Sequence, residues 1–150
     1  MKKFLFFLLG LILGIAIVWG IAIFMQRGTE MEIEDVAKNI PQANENISIT
    51  NPLANAEILS SLSIEGNAKG TWFFEAVAFV KVVDEKGTEL GSGNIQAMGD
   101  WMTENFVPFK GLISFEKTSS EKGFLIFEKS NPSGMKANSE EFKLPIKFKK

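Results

Sequence analysis

Three serine–lysine pairs are the first residues whose types and spacing could do chemistry. The spacing S-x-x-K occurs at Ser114 and Lys117, at Ser119 and Lys122, and at Ser133 and Lys136. A lysine amine beside a serine hydroxyl can act as base to an acyl-transfer nucleophile. In enzymes of that type the serine opens a helix and two companion motifs complete the site. No helix start is predicted at any of the three serines, and the companion motifs are missing. The chain has no His, which removes the usual triads and the commonest general base and metal ligand. It has no Cys either, so thiol chemistry, thiolate metal sites and disulfides are excluded. The acidic pairs Asp84-Glu85 and Glu140-Glu141 offer oxygens of the kind calcium takes. Calcium needs several such ligands converging, and neither pair matches a known loop. They read as solvated carboxylates. No enzyme activity, metal or cofactor is expected.

Recognition is the chemistry that remains. Glu75 sits inside the apolar run Trp72-Phe73-Phe74-Glu75-Ala76-Val77. A buried carboxylate has to be paired or hydrogen-bonded. It could hold the backbone amides of residues 99–101, face outward, or meet a ligand. Trp72, Trp101, Phe106 and Phe109 form an aromatic set. Such residues close the end of a core, or they make a platform for a glycan or a protein, since large rigid rings dominate hot spots.

Two very different stretches must position these residues. From Phe4 to Met25 the chain holds 22 residues without a charge. As a helix these reach about 33 Å, enough for a hydrocarbon core of roughly 30 Å. The run is longer than the apolar region of a cleaved signal peptide. Lys2 and Lys3 precede it, whereas Arg27 is followed by Glu30, Glu32, Glu34 and Asp35. Positive charge stays cytoplasmic, so residues 1–25 are expected to be a short stub and a single-pass membrane anchor with the rest outside. Gly10 and Gly14 give a GxxxG face through which two such helices could pack as a homodimer. Residues 26–46 are polar and read as a tether. Beyond the anchor, residues 26–150 carry 14 basic and 18 acidic groups, a balance that argues against nucleic acid.

Residues 47–150 carry the short β-rich runs and turn signals of an all-β domain. Strands are predicted at residues 47–50, 62–69, 73–84, 89–97, 105–116, 124–129 and 142–148, with a hairpin turn at Asp84-Glu85-Lys86-Gly87. About seven strands at this spacing make an antiparallel sandwich. Strand parity then brings connections 69–72, 98–104 and 130–140 to one end. The turns at 84–87 and 118–123 go to the other.

The ordered segments Asn51-Pro52-Leu53, Ile64-Glu65-Gly66-Asn67-Ala68-Lys69-Gly70 and Trp72-Phe73-Phe74-Glu75 resemble a known bacterial immunoglobulin-like domain. So do Val83-Asp84, Gly87, Gly99-Asp100-Trp101-Met102, Pro108-Phe109 and Glu128-Lys129-Ser130-Asn131-Pro132-Ser133-Gly134. This is the family found beside the GerMN domain in spore-germination lipoproteins. The resemblance spans residues 47–148. It implies an immunoglobulin-like sandwich in the bacterial cell envelope and no catalytic residues. The expected protein is a non-enzymatic module at the cell membrane that binds an envelope protein or a cell-wall glycan. The expected contact residues are Trp72, Glu75, Asp100, Trp101, Phe109 and Asn131. The competing expectation is a structural subunit of a membrane complex assembled through its helix.

Overall fold

The computed structural model describes residues 42–149. The expected anchor, the Gly10 and Gly14 face and most of the tether lie outside the described residues. Among the described residues, no helix is long and apolar enough to cross a membrane.

Among the described residues nine strands follow in chain order: β1 (Gln42–Ala43), β2 (Ile47–Asn51), β3 (Glu57–Ile58), β4 (Leu62–Lys69), β5 (Val77–Asp84), β6 (Glu89–Ala97), β7 (Phe106–Ile113), β8 (Lys122–Glu128) and β9 (Glu141–Phe148). Helix among the described residues is confined to two 3₁₀ turns, Gly70–Trp72 and Lys136–Asn138. The strands hydrogen-bond in the order β1-β2-β4-β7-β6-β5-β8-β9-β3. All pairings are antiparallel except that of β3 with β9.

The sheet curls so that its two halves face each other. β7 and β8 are separated by two strands in the hydrogen-bonding order, yet the rings of Phe109 and Phe127 lie 6.4 Å apart, centre to centre. Alternation along each strand explains the curl. Ile64, Gly66 and Ala68 of β4 and Val107, Phe109 and Ile113 of β7 point inward, as do Leu125 and Phe127 of β8 and Phe142, Leu144 and Ile146 of β9. These apolar rows can leave water only by meeting, and together they form one core cluster. Gly66 is required there, because a side chain would strike the Phe109 ring and the Ser48 carbonyl.

Three local expectations are corrected. The strand expected at residues 73–84 starts only at Val77, because Glu75 and Ala76 adopt left-handed backbone (φ 52° and 63°) and turn the chain. β1 pairs with Ile49 and Ser48 of β2, so the folded domain reaches back into the expected tether. β3 is an added edge supplied by the segment between β2 and β4. In that segment the Asn55 amide donates to Pro145 (2.7 Å), and the Ala56 carbonyl accepts from Lys147 (2.9 Å).

Candidate functional site

The loops gather at one end, as parity requires. The Ser130 amide donates to the Trp72 carbonyl (2.9 Å), and the Gly70 amide to the Asn105 carbonyl (3.0 Å). The Ser130 hydroxyl donates to Val77 (2.6 Å). At the opposite end, the Glu85 amide donates to Lys122 (3.1 Å).

The aromatic set divides between core and surface. Trp72 is fully buried, and its indole N–H has no hydrogen-bond partner among the described residues. Phe109 is buried between Phe73 and Phe127. Neither is available to a partner, so both leave the expected contact set. Trp101 is half-buried against the core, in a shallow hollow with Thr71, Phe73 and Met102. Its loop lies directly on Gly70, where a side chain would collide with the Trp101 and Thr103 carbonyls. Phe106 is half-exposed on β7.

Asp100 and Asn131 shape loops. The Asp100 carboxylate accepts from the Met102 amide at 3.0 Å, a local turn that this residue type favours. The Asn131 amide donates to Met135 (2.8 Å) and Ser139 (3.0 Å), while its oxygen accepts from Ser133 (2.6 Å). Ser133 is thus committed to the loop. Among the described residues no serine hydroxyl is bonded to a lysine amine at any of the three S-x-x-K spacings.

Glu75 corrects the sequence reading most. It is exposed on a two-residue turn closed by mutual hydrogen bonds between Phe74 and Val77, each 3.0 Å. Among the described residues it holds no loop amide. Such turns favour Asn-Gly, because both central residues need positive φ. Glu-Ala gives no such signal, so the apolar flanks read as a continuous strand. The Ala76 carbonyl accepts from the Ala97 amide (2.9 Å), which fastens the turn to the end of β6.

This turn forms the rim of a groove of about 450 Å³ lined by Phe74, Val77, Phe79, Asn94, Asn131 and Pro132, with Glu75 and Ser130. Phe74 and Phe79 are 48% and 46% exposed, too much for rings whose only role is to fill a core. Glu75 is the only ionisable group in the lining, and its carboxylate has no partner among the described residues. Two neighbouring cations face other carboxylates: Lys81 pairs with Glu128 at 2.5 Å, and Lys129 lies 4.0 Å from Glu140. The Glu128 hydrogen bond raises the Lys81 pKa above the usual lysine value.

Sequence reasoning missed Phe74 and Phe79, although alternation carried the signal. Buried Ala78, Val80 and Val82 oblige Phe79 and Lys81 to face outward. It also missed the exposed methionines of this end, Met98, Met102 and Met135.

Asp84, expected as a solvated carboxylate, is buried at the other end. It accepts from the Thr88 and Lys86 amides (2.8 and 2.9 Å) and from the Ser120 hydroxyl (3.4 Å). The Thr88 hydrogen bond, helped by those of Lys86 and Ser120, holds its carboxyl below the usual carboxylate range despite burial. Among the described residues no three His, Cys, Asp or Glu side chains converge as metal ligands.

The comparison with curated proteins found no match, nor did that with solved structures. The profile of the immunoglobulin-like domain of bacterial spore germination (Gmad2) matches residues 46–136. That is more than half of the 150-residue chain, from the loop before β2 to the second 3₁₀ turn. The curled, all-β, two-layered domain described above is of the immunoglobulin-like kind. The chain belongs to the family of immunoglobulin-like domains of bacterial spore germination.

Proposed function

We propose that this protein is a non-enzymatic binding module, held at the outer face of the bacterial cell membrane by the run from Phe4 to Met25, whose loop end engages an envelope partner. One observation carries the proposal. Of the exposed large apolar side chains, Phe74, Phe79, Met98, Met102, Phe106 and Met135 lie on or beside the loop end. Scattered apolar residues need no explanation, but their concentration on one end of a rigid scaffold marks a surface made for contact. Methionine suits such a surface because its flexible thioether adapts to different partners.

The anchor rests on the length of the uncharged run and on the charges that flank it. Family membership, the absence of His and Cys, and the internal commitments of Ser133 and Asn131 weigh against catalysis. Burial of Trp72 and Phe109 favours a second reading, in which the sandwich is a spacer and assembly runs through Gly10 and Gly14 in the helix.

Photo-cross-linking from position 102 or 79 in the native membrane, followed by mass spectrometry, separates the two. The binding reading expects one dominant neighbour captured from both positions. Capture from the anchor alone, with silence from the loop end, supports the spacer. Recovery of the chain in the soluble fraction with its first 25 residues removed would overturn the anchor.

A further inference from the structure

We propose that the Phe74–Phe79 groove receives a cation carried on an apolar stem: a lysine or arginine side chain displayed by a partner protein. The inference rests on the binding reading above and names the chemistry of its partner.

The groove combines three properties. Its walls are two half-exposed phenylalanine rings with Val77 and Pro132. Among the described residues its only ionisable group is the Glu75 carboxylate, which has no partner there; Lys81 pairs with Glu128, and Lys129 lies 4.0 Å from Glu140. The exposed Asn94 side-chain amide adds a polar group with no partner among the described residues. An aromatic face attracts a cation through its ring quadrupole, and a carboxylate adds a directed charge. The apolar walls accommodate the methylene stem. Asp100 and Glu104 are exposed beside Trp101 and Met102, while Lys69 and Lys136, also at this end, lie outside the groove lining. An anionic cell-wall polymer entering the groove would meet the Glu75 carboxylate, which favours a protein partner.

The backbone supports the assignment. Glu75 and Ala76 occupy left-handed conformations without being glycine. Strain of this kind persists only where the surroundings enforce it, and it gathers at sites that present a group. Here it lifts the carboxylate onto the rim, beside Phe74.

The test uses the full-length ¹⁵N-labelled chain and three capped pentapeptides, Leu-Leu-X-Leu-Ser with X as Arg, Lys or Gln. A chitin tetrasaccharide serves as the glycan probe. The Arg and Lys peptides are expected to shift the Ala76 backbone amide and the Asn94 side-chain resonances, the Gln peptide much less. Glu75→Gln should weaken Arg-peptide binding about threefold to fivefold, as a single exposed ion pair allows. Phe79→Ala should weaken it at least about fivefold. Equal response to Arg and Gln peptides, no response to any peptide, or stronger shifts from the tetrasaccharide would each overturn the inference. Cross-linking distinguishes this from failure of the binding reading. A neighbour captured from position 79 in wild type and equally in Glu75→Gln refutes the cation assignment alone. No neighbour captured from the loop end refutes both.

Discussion

At residue scale the domain assigns similar chemistry to opposite tasks. Asp84 and Glu75 are both carboxylates in tight turns, yet one is sealed by hydrogen bonds and the other has no partner among the described residues. The Asp84 pKa is depressed in the folded state. Its contribution to stability is therefore complete above the ordinary carboxylate range and disappears as pH falls through that range toward the folded value. Asp84→Asn should melt below wild type at pH 7, and the gap should narrow below about pH 4. Thermal melts across pH 2–7 check this; a gap that stays constant would contradict it. Ala76→Gly removes a Cβ from a φ of 63° and should raise stability by about 1 kcal/mol in denaturant titrations. Trp72 donates no hydrogen bond among the described residues, so Trp72→Phe loses volume but no bond. Trp72→Ala should cost about 3–5 kcal/mol, and Trp72→Phe no more than about half of that.

At the scale of elements, what could be read in advance depended on how many residues shared a pattern. β4 and β6 have the limits that alternation and turn residues indicate, Leu62–Lys69 and Glu89–Ala97. The hairpin at Asp84 and Gly87 was legible because Gly87 supplies positive φ (83°). β1 and β3 have two residues each, too few for any period to show, and only the strands beside them make them strands. The turn at Glu75 was illegible because its residue types contradict its backbone. The groove was hidden for a related reason: Phe74 and Phe79 sit in an apolar segment, and only the inward row of Ala78, Val80 and Val82 reveals that they face out. Core membership of Phe109 could be foreseen from its place in β7, but not the depth of Trp72. Contact between the 3₁₀ turn and the Trp101 loop yields a further prediction. Gly70→Ala should cost about 1–3 kcal/mol through overpacking. It should also increase acrylamide quenching of tryptophan fluorescence as Trp101 is pushed outward; unchanged quenching would place that loop elsewhere.

At the scale of the whole molecule, a sandwich of this kind gives its ends different duties. One end holds the hydrogen-bonded Asp84 and Ser120 with Leu59 and Phe124 exposed nearby, and the other displays more of the exposed methionine and phenylalanine. Substitutions of Asp84 or Ser120 should alter melting without altering partner capture, and Glu75→Gln should do the reverse. The segment between β2 and β4 also bears on how the domain comes apart. It leaves one layer, pairs beside β9 in the other through Glu57 and Ile58, and returns to the first. Neither layer can then peel away while the other stays whole, because the same stretch of chain belongs to both margins. Unfolding should be all-or-none, with hydrogen exchange in β4 and in β9 reporting a single common opening energy.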